Sequence, residues 1–195
     1  MIVRFPRWTW AVLAAVLPLA QGCCGPPSPN LTQIRAGWNS GDTRGLTLPS
    51  FDPDVVAVCD PPIGWKPQPL KITAKHVHAV WLSPTGATAY GVIYFKMPLP
   101  VGPDLALSGF LNQMKKTEGD VVLLSRRDDA SLPGIRFEAE GGIYNIRANL
   151  IVNGWEGWSV YVGTRRARKV IPNELDIAVR AREHTHVGRP ENPGK

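Results

Sequence analysis

The chain has 195 residues, 22 Lys and Arg against 16 Asp and Glu for a formal net charge of +6, and 44% apolar residues. Such a length suits one folded domain with a single core. So modest a positive excess, without zinc-finger spacing, an aromatic RNA-binding motif or an extended basic helix, excludes the usual nucleic-acid binders. Gly-x-Ser-x-Gly, His-Glu-x-x-His, Gly-x-x-x-x-Gly-Lys and Gly-x-Gly-x-x-Gly are absent, which sets aside the motif-bearing hydrolases, zinc proteases and nucleotide binders.

At the N-terminus, Arg4 and Arg7 precede an uncharged run from Trp8 to Ala20 that leads into Gln21-Gly22-Cys23. The run is shorter than the ~20 residues a membrane span needs and long enough for the core of a secretion signal. The Gly-Cys junction fits the lipobox of a bacterial lipoprotein, although Ala20 stands where Leu is usual. Residues 1–22 are therefore expected to be a signal peptide, with Cys23 the acylated, palmitate-bearing residue. The alternative is an ordinary secreted chain that keeps Cys23 and Cys24. Removing residues 1–22 takes away two arginines and no acid, lowering the net charge to +4. The lipid anchor would place the protein in the cell envelope, membrane-anchored and facing the periplasm or exterior, and either route takes it out of the cytoplasm. Thiols can oxidise there, so a Cys24–Cys59 bridge stands beside the simpler expectation that Cys59 is a small buried residue.

Residues 23–53, with Pro26, Pro27, Pro29 and Asn39-Ser40-Gly41-Asp42, lack hydrophobic periodicity and read as a flexible tether. A folded domain is expected over 54–188, and a disordered tail over 189–195. Within the domain, His76–Leu82 and Ala87–Phe95 are β-rich runs joined by the turn Ser83-Pro84-Thr85-Gly86. Leu107, Phe110, Leu111 and Met114 then fall at helical spacing, with Asp104 as N-cap and Gly119 as the stop. Val121–Leu124 reads as a short buried strand.

Alternation is clearest from Ile135 to Val152, on both sides of Gly141-Gly142, whose tolerance of positive φ suits a two-residue hairpin loop. That loop would set Phe137 opposite Ile146, Ala139 opposite Tyr144, Glu138 opposite Asn145 and Arg136 opposite Arg147. Ser159–Thr164 reads as a further strand carrying Val160 and Val162 on the face of Trp158. A last helix begins near Pro172-Asn173, with Glu174 and Asp176 early, Arg180 and Arg182 late, and Leu175, Ala178 and Val179 as its core stripe. The order of elements predicts an α+β single domain, a twisted antiparallel sheet flanked by two main helices.

Pro62-Ile63-Gly64-Trp65-Lys66, the Gly141-Gly142 hairpin with its long strand through Val152, the strand from Trp158 to Thr164 and the closing helix from Asn173 together resemble the PsbP-like domain. That family recurs in photosynthetic lumen proteins and bacterial lipoproteins. The resemblance implies a sandwich of antiparallel sheet and helices engaged in binding or assembly without catalysis; it carries no ligand residue across to this chain.

Among residues that could bear chemistry, His76 and His78 share one strand face and could present imidazoles to a zinc or copper ion. His184 and His186 form a second His-x-His pair, expected at a fraying helix end. Glu138 and Glu140 share a face and could act as general acid and base; ordinary strand alternation on a half-exposed sheet is the commoner source of such a pair. Arg136 beside Arg147, with Asn145 and Asn149, could receive an anionic ligand. Arg165, Arg166, Arg168 and Lys169 crowd the loop before the last helix and could meet anionic polymer, lipid headgroups or an acidic partner. The leading expectation is a lipid-anchored, non-catalytic envelope binding or assembly module without a cofactor, joined to the membrane by its lipid and to an envelope protein or anionic polymer by its domain. The alternative is a small metal-dependent or carboxylate-based hydrolase using the His76/His78 and Glu138/Glu140 faces.

Overall fold

A computed structural model describes residues 46–48, 56–73, 75–129 and 134–188, with the side chains of 46–48, 56 and 188 excepted. The expected signal peptide, Cys23, Cys24 and the tail at 189–195 lie outside the described residues. Leu46–Leu48 (β1) falls within the segment expected to be a tether; it pairs antiparallel with Val56–Cys59 (β2). On β2's other edge lies His186–Gly188 (β11), completing a three-stranded sheet.

The main sheet is antiparallel. It runs from Lys66–Pro67 (β3) through His76–Leu82 (β5), Thr88–Lys96 (β6), Glu156–Arg165 (β10), Tyr144–Asn153 (β9) and Gly134–Glu140 (β8) to Val122–Asp129 (β7). Lys71–Thr73 (β4) pairs with β5 on the same edge as β3. Strand β10 sits at the centre, paired to β6 and β9, and eight of its ten residues are buried. Beside it Asn153-Gly154-Trp155-Glu156 closes a two-residue turn, and Gly154 takes φ +58°, which a side chain resists. The fold is the α+β arrangement that the sequence predicts.

Two helices cover this sheet, one on each face. Helix α1, Pro103–Glu118, starts with Pro at its first position and ends at Gly119, whose φ is +82°. Its N-cap is Gly102, so Asp104 lies inside the first turn, where a carboxylate favours the helix dipole instead of capping. Ala106, Leu107 and Met114 of α1 bury against Ile135, Phe137, Ala139, Ile146, Ala148 and Leu150 of β8 and β9. Helix α2, Pro172–His184, buries Ala178 and Ala181 against the opposite face, over β6 and β10, where Trp81, Tyr90, Tyr94, Trp158, Val160 and Val162 form a second core with Ala57, Cys59 and Val187 of the small sheet.

Three local expectations are corrected. Val122, Leu123 and Leu124 are exposed, because β7 is the outermost strand and α1 packs over β8 and β9, short of it. The β8–β9 register is two residues longer than a Gly-Gly loop gives: Phe137 faces Ala148, Ala139 faces Ile146, Glu138 faces Arg147 and Arg136 faces Asn149. Neither Gly141 nor Gly142 takes positive φ. They are small because a Cβ on either would collide with Glu118 at the end of α1, whose carboxylate accepts hydrogen bonds from the backbone N–H of Ile143 (3.3 Å) and Tyr144 (3.1 Å). Finally, His186 opens β11 instead of fraying from the helix, because its strand finds an edge on β2.

Candidate functional site

The helices are offset diagonally. Helix α1 covers the β8–β9 half of its face and α2 the β6–β10 part of the other, so among the described residues each face keeps a region that no helix covers. On α1's face this leaves a cleft of about 990 Å³ along β5 and β6. Its walls are mostly apolar: Val80 and Leu82 from β5, Ile93 and Phe95 from β6, Phe110 and Met114 from α1. The lining of β5 runs from His76 to Leu82, roughly 20 Å at the usual rise per strand residue.

His76 and His78 line this cleft together, as their shared strand face predicts. Strand β5 is paired on both sides, and both imidazoles are half-buried. The Nε2 of His78 shares a 2.7 Å hydrogen bond with the hydroxyl of Tyr161 on β10. Strand β6 lies between them, and the Tyr161 ring crosses it at Gly91, its register partner. A Cβ at Gly91 would lie inside the Tyr161 ring's contact distance, so the missing side chain is what lets the ring lie down.

Burial, and after it the charges of His76 and Lys71, lowers the pKa of His78 to about 4; burial and Lys71 lower that of His76 as well. Burial raises that of Tyr161. At neutral pH the pair is therefore an uncharged hydrogen-bonding unit, a weak base beside a weak acid. Lys71, opposite His78 on β4, places an ammonium at the same end of the cleft. The structure keeps His184 and His186 away from this end: His184 sits on α2's face, 3.7 Å from Asp60, and His186 on β11. Among the described residues no three His, Cys, Asp or Glu side chains gather into a metal-holding group.

Glu138 and Glu140 lie on the opposite face of the sheet from the histidines, each with an arginine: Glu138 is 3.3 Å from Arg147 and Glu140 is 2.9 Å from Arg166. The structure thus does not bring His76, His78, Glu138 and Glu140 to one place. Arg136 pairs with Asp129 at 2.8 Å, and Asn145 stands opposite Glu140 near the hairpin end. Of the basic loop, Arg166 also donates to the carbonyl of Gly141 at 3.0 Å and Arg168 to that of Thr85, so two of its cations hold neighbouring turns.

Cys59 is a free thiol, wholly buried, and burial pushes its pKa up to about 12, which leaves it unreactive. Among the described residues no helix is long and apolar enough to cross a membrane. The sequence reading missed Lys71, Gly91 and Tyr161 in the cleft and Arg127 and Arg182 on the other face. Gly91 carried a readable signal, since a glycine inside a β-rich run marks a close approach. No protein-family model matches the chain, and no curated protein is similar to it.

Proposed function

We propose that this protein is a lipid-anchored, non-catalytic envelope module that binds an amphiphile, its apolar chain in the cleft between α1 and β5–β6 and its anionic end toward Lys71. The cleft carries this reading. Its volume of about 990 Å³ lies at the top of the ~300–1,000 Å³ range of small-molecule sites, which are likewise mostly apolar with a few convergent polar groups. His78, Tyr161 and Lys71 are those groups, gathered at one end. The Gly22-Cys23 junction supports the anchor, and the sheet flanked by two helices is in keeping with the PsbP-like resemblance.

A hydrolase built on His76, His78, Glu138 and Glu140 draws no support from the site, because Glu138 and Glu140 lie across the sheet from the imidazoles, and Glu118, which lines the cleft, is taken up by the backbone N–H groups of Ile143 and Tyr144. Titration of the purified protein with a fluorescent long-chain fatty acid tests the binding role. Saturable binding, competed by palmitate and weakened by Ile93→Trp, which fills the cleft, is the expected result. No saturable binding, or binding that Ile93→Trp leaves unchanged, refutes it. Mass spectrometry of the processed chain tests the anchor independently: an unmodified Cys23 removes it.

A further inference from the structure

The second uncovered region, on α2's face beside β7–β9, holds a pocket of about 240 Å³ lined by Arg127, Arg136, Arg147 and Arg182, with Glu138 the single carboxylate among them. Arg127 and Arg136 stand directly opposite on β7 and β8, an arrangement that destabilises a ladder unless an anion lies between. Arg147 comes from β9 and Arg182 from the last turn of α2, so four elements converge.

The counter-charges do not balance this set. Glu138 serves Arg147 and Asp129 serves Arg136. Arg182, whose side chain is only 15% exposed, has Glu183 no nearer than 3.9 Å, and its buried Nε finds no hydrogen-bond partner among the described residues. Among the described residues no carboxylate lies within ion-pair distance of Arg127. Keeping Arg182 half-starved of partners costs stability: burial makes its cation less favourable, Arg136 and Arg147 add to that, and Glu183 and Glu138 offset it only in part.

We propose that this pocket is a binding site for a phosphate-type oxyanion, held by Arg127 and Arg182 with Arg136 and Arg147 completing the ring. Guanidinium groups present paired donors that match tetrahedral oxyanions in two-pronged fashion, and a pocket below the ~300 Å³ of typical organic-ligand sites selects a compact group. The oxyanion has two sources, a free phosphate or the headgroup of an anionic lipid. This site lies across the sheet from the amphiphile cleft and stands or falls apart from it.

The test is thermal melting and calorimetric titration of the full chain at constant ionic strength, with inorganic phosphate in one arm and phosphatidic acid vesicles in the other. Saturable phosphate binding supports the site and points to a free ligand. Vesicle binding without phosphate binding points to a headgroup. Either must weaken about ten-fold or more in Arg182→Met, and by a similar factor in the exposed Arg127→Ala, given the strength of charge-assisted hydrogen bonds. Lys116→Gln, on the opposite helix, must leave it unchanged. Arg127→Ala must also melt no lower than the parent without ligand, since it relieves repulsion, so lost binding there is not lost folding. Binding in neither arm, or binding that both arginine variants retain, overturns the proposal.

Discussion

The Tyr161 hydroxyl meets Nε2 of His78 at 2.7 Å although the two are 83 positions apart in the chain and one whole strand lies between them. A tyrosine reaches across a neighbouring strand only where that strand offers no side chain, and Gly91 provides the gap. The bond ties β10 to β5 over the floor of the cleft. Tyr161→Phe removes one hydrogen bond and keeps the ring, so it should cost about 1 kcal/mol and free the His78 imidazole to turn. Chemical denaturation measures the first effect. A changed His78 ring signal in NMR reports the second, and an unaltered signal would show that the bond does not hold the ring.

Gly91→Ala inserts a methyl where the Tyr161 ring lies. The strand backbone cannot retreat, being paired on both sides, so the ring must move; overpacking of this sort costs about 1–3 kcal/mol. The discriminating measurement is a double-mutant cycle with Tyr161→Leu. Because the smaller side chain leaves room for the methyl, the two substitutions together should cost clearly less than the sum of each alone. Additive costs would place the strain elsewhere.

Much of this architecture is legible in the sequence. The β5–β6 hairpin, both helices and the alternation through β8, β9 and β10 follow from periodicity and turn residues, since each rests on neighbours in the chain. What escapes is what depends on partners distant in the chain. The Gly141-Gly142 pair looks like a loop that needs positive φ; its smallness instead serves Glu118, more than twenty residues earlier. Val122, Leu123 and Leu124 look like a core strand, but only the order of strands decides that β7 is outermost. The same holds for the site. His76 and His78 share a face by strand geometry alone, whereas Tyr161, Lys71, Arg127 and Arg182 enter their sites through pairing and helix placement that no local pattern encodes.

Acid should destabilise the protein in a defined window. The pKa of His78 falls from its ordinary 6.5 to about 4 in the folded state, so the unfolded chain takes up the proton more readily. The stability this confers is whole above pH 6.5 and is lost as pH falls toward 4, a loss on the order of 2–3 kcal/mol. His76, lowered too, acts in the same direction. Urea midpoints measured from pH 7.5 to 4.5 should decline in the parent and noticeably less in His78→Gln, which keeps a polar partner for Tyr161 but cannot titrate. Parallel curves for the two proteins would place the acid sensitivity in other groups.

The start of α2 is pinned to the β5–β6 turn by Glu174, which is 8% exposed. Its carboxylate accepts hydrogen bonds from the Thr85 hydroxyl at 2.7 Å and the Thr85 backbone N–H at 3.3 Å. Burial alone would raise the carboxyl pKa, but the bonds from Thr85 and Ser83 outweigh it and hold the group below its usual range. Glu174 lies in the first helical turn as well, where negative charge is favoured. Glu174→Gln keeps the shape and one acceptor while removing the charge, and should cost about 1–2 kcal/mol; Glu174→Ala leaves the Thr85 donors to find water and should cost about 2–3 kcal/mol. Because the charged form stabilises the fold, its contribution is present above the ordinary carboxylate pKa and disappears only in stronger acid than the His78 effect. Hydrogen exchange resolves the local consequence: the Thr85 amide should lose protection in both variants, while amides of the β8–β9 hairpin, on the far side of the sheet, should not change. Uniform loss of protection across the domain would show that Glu174 supports global stability without anchoring this turn.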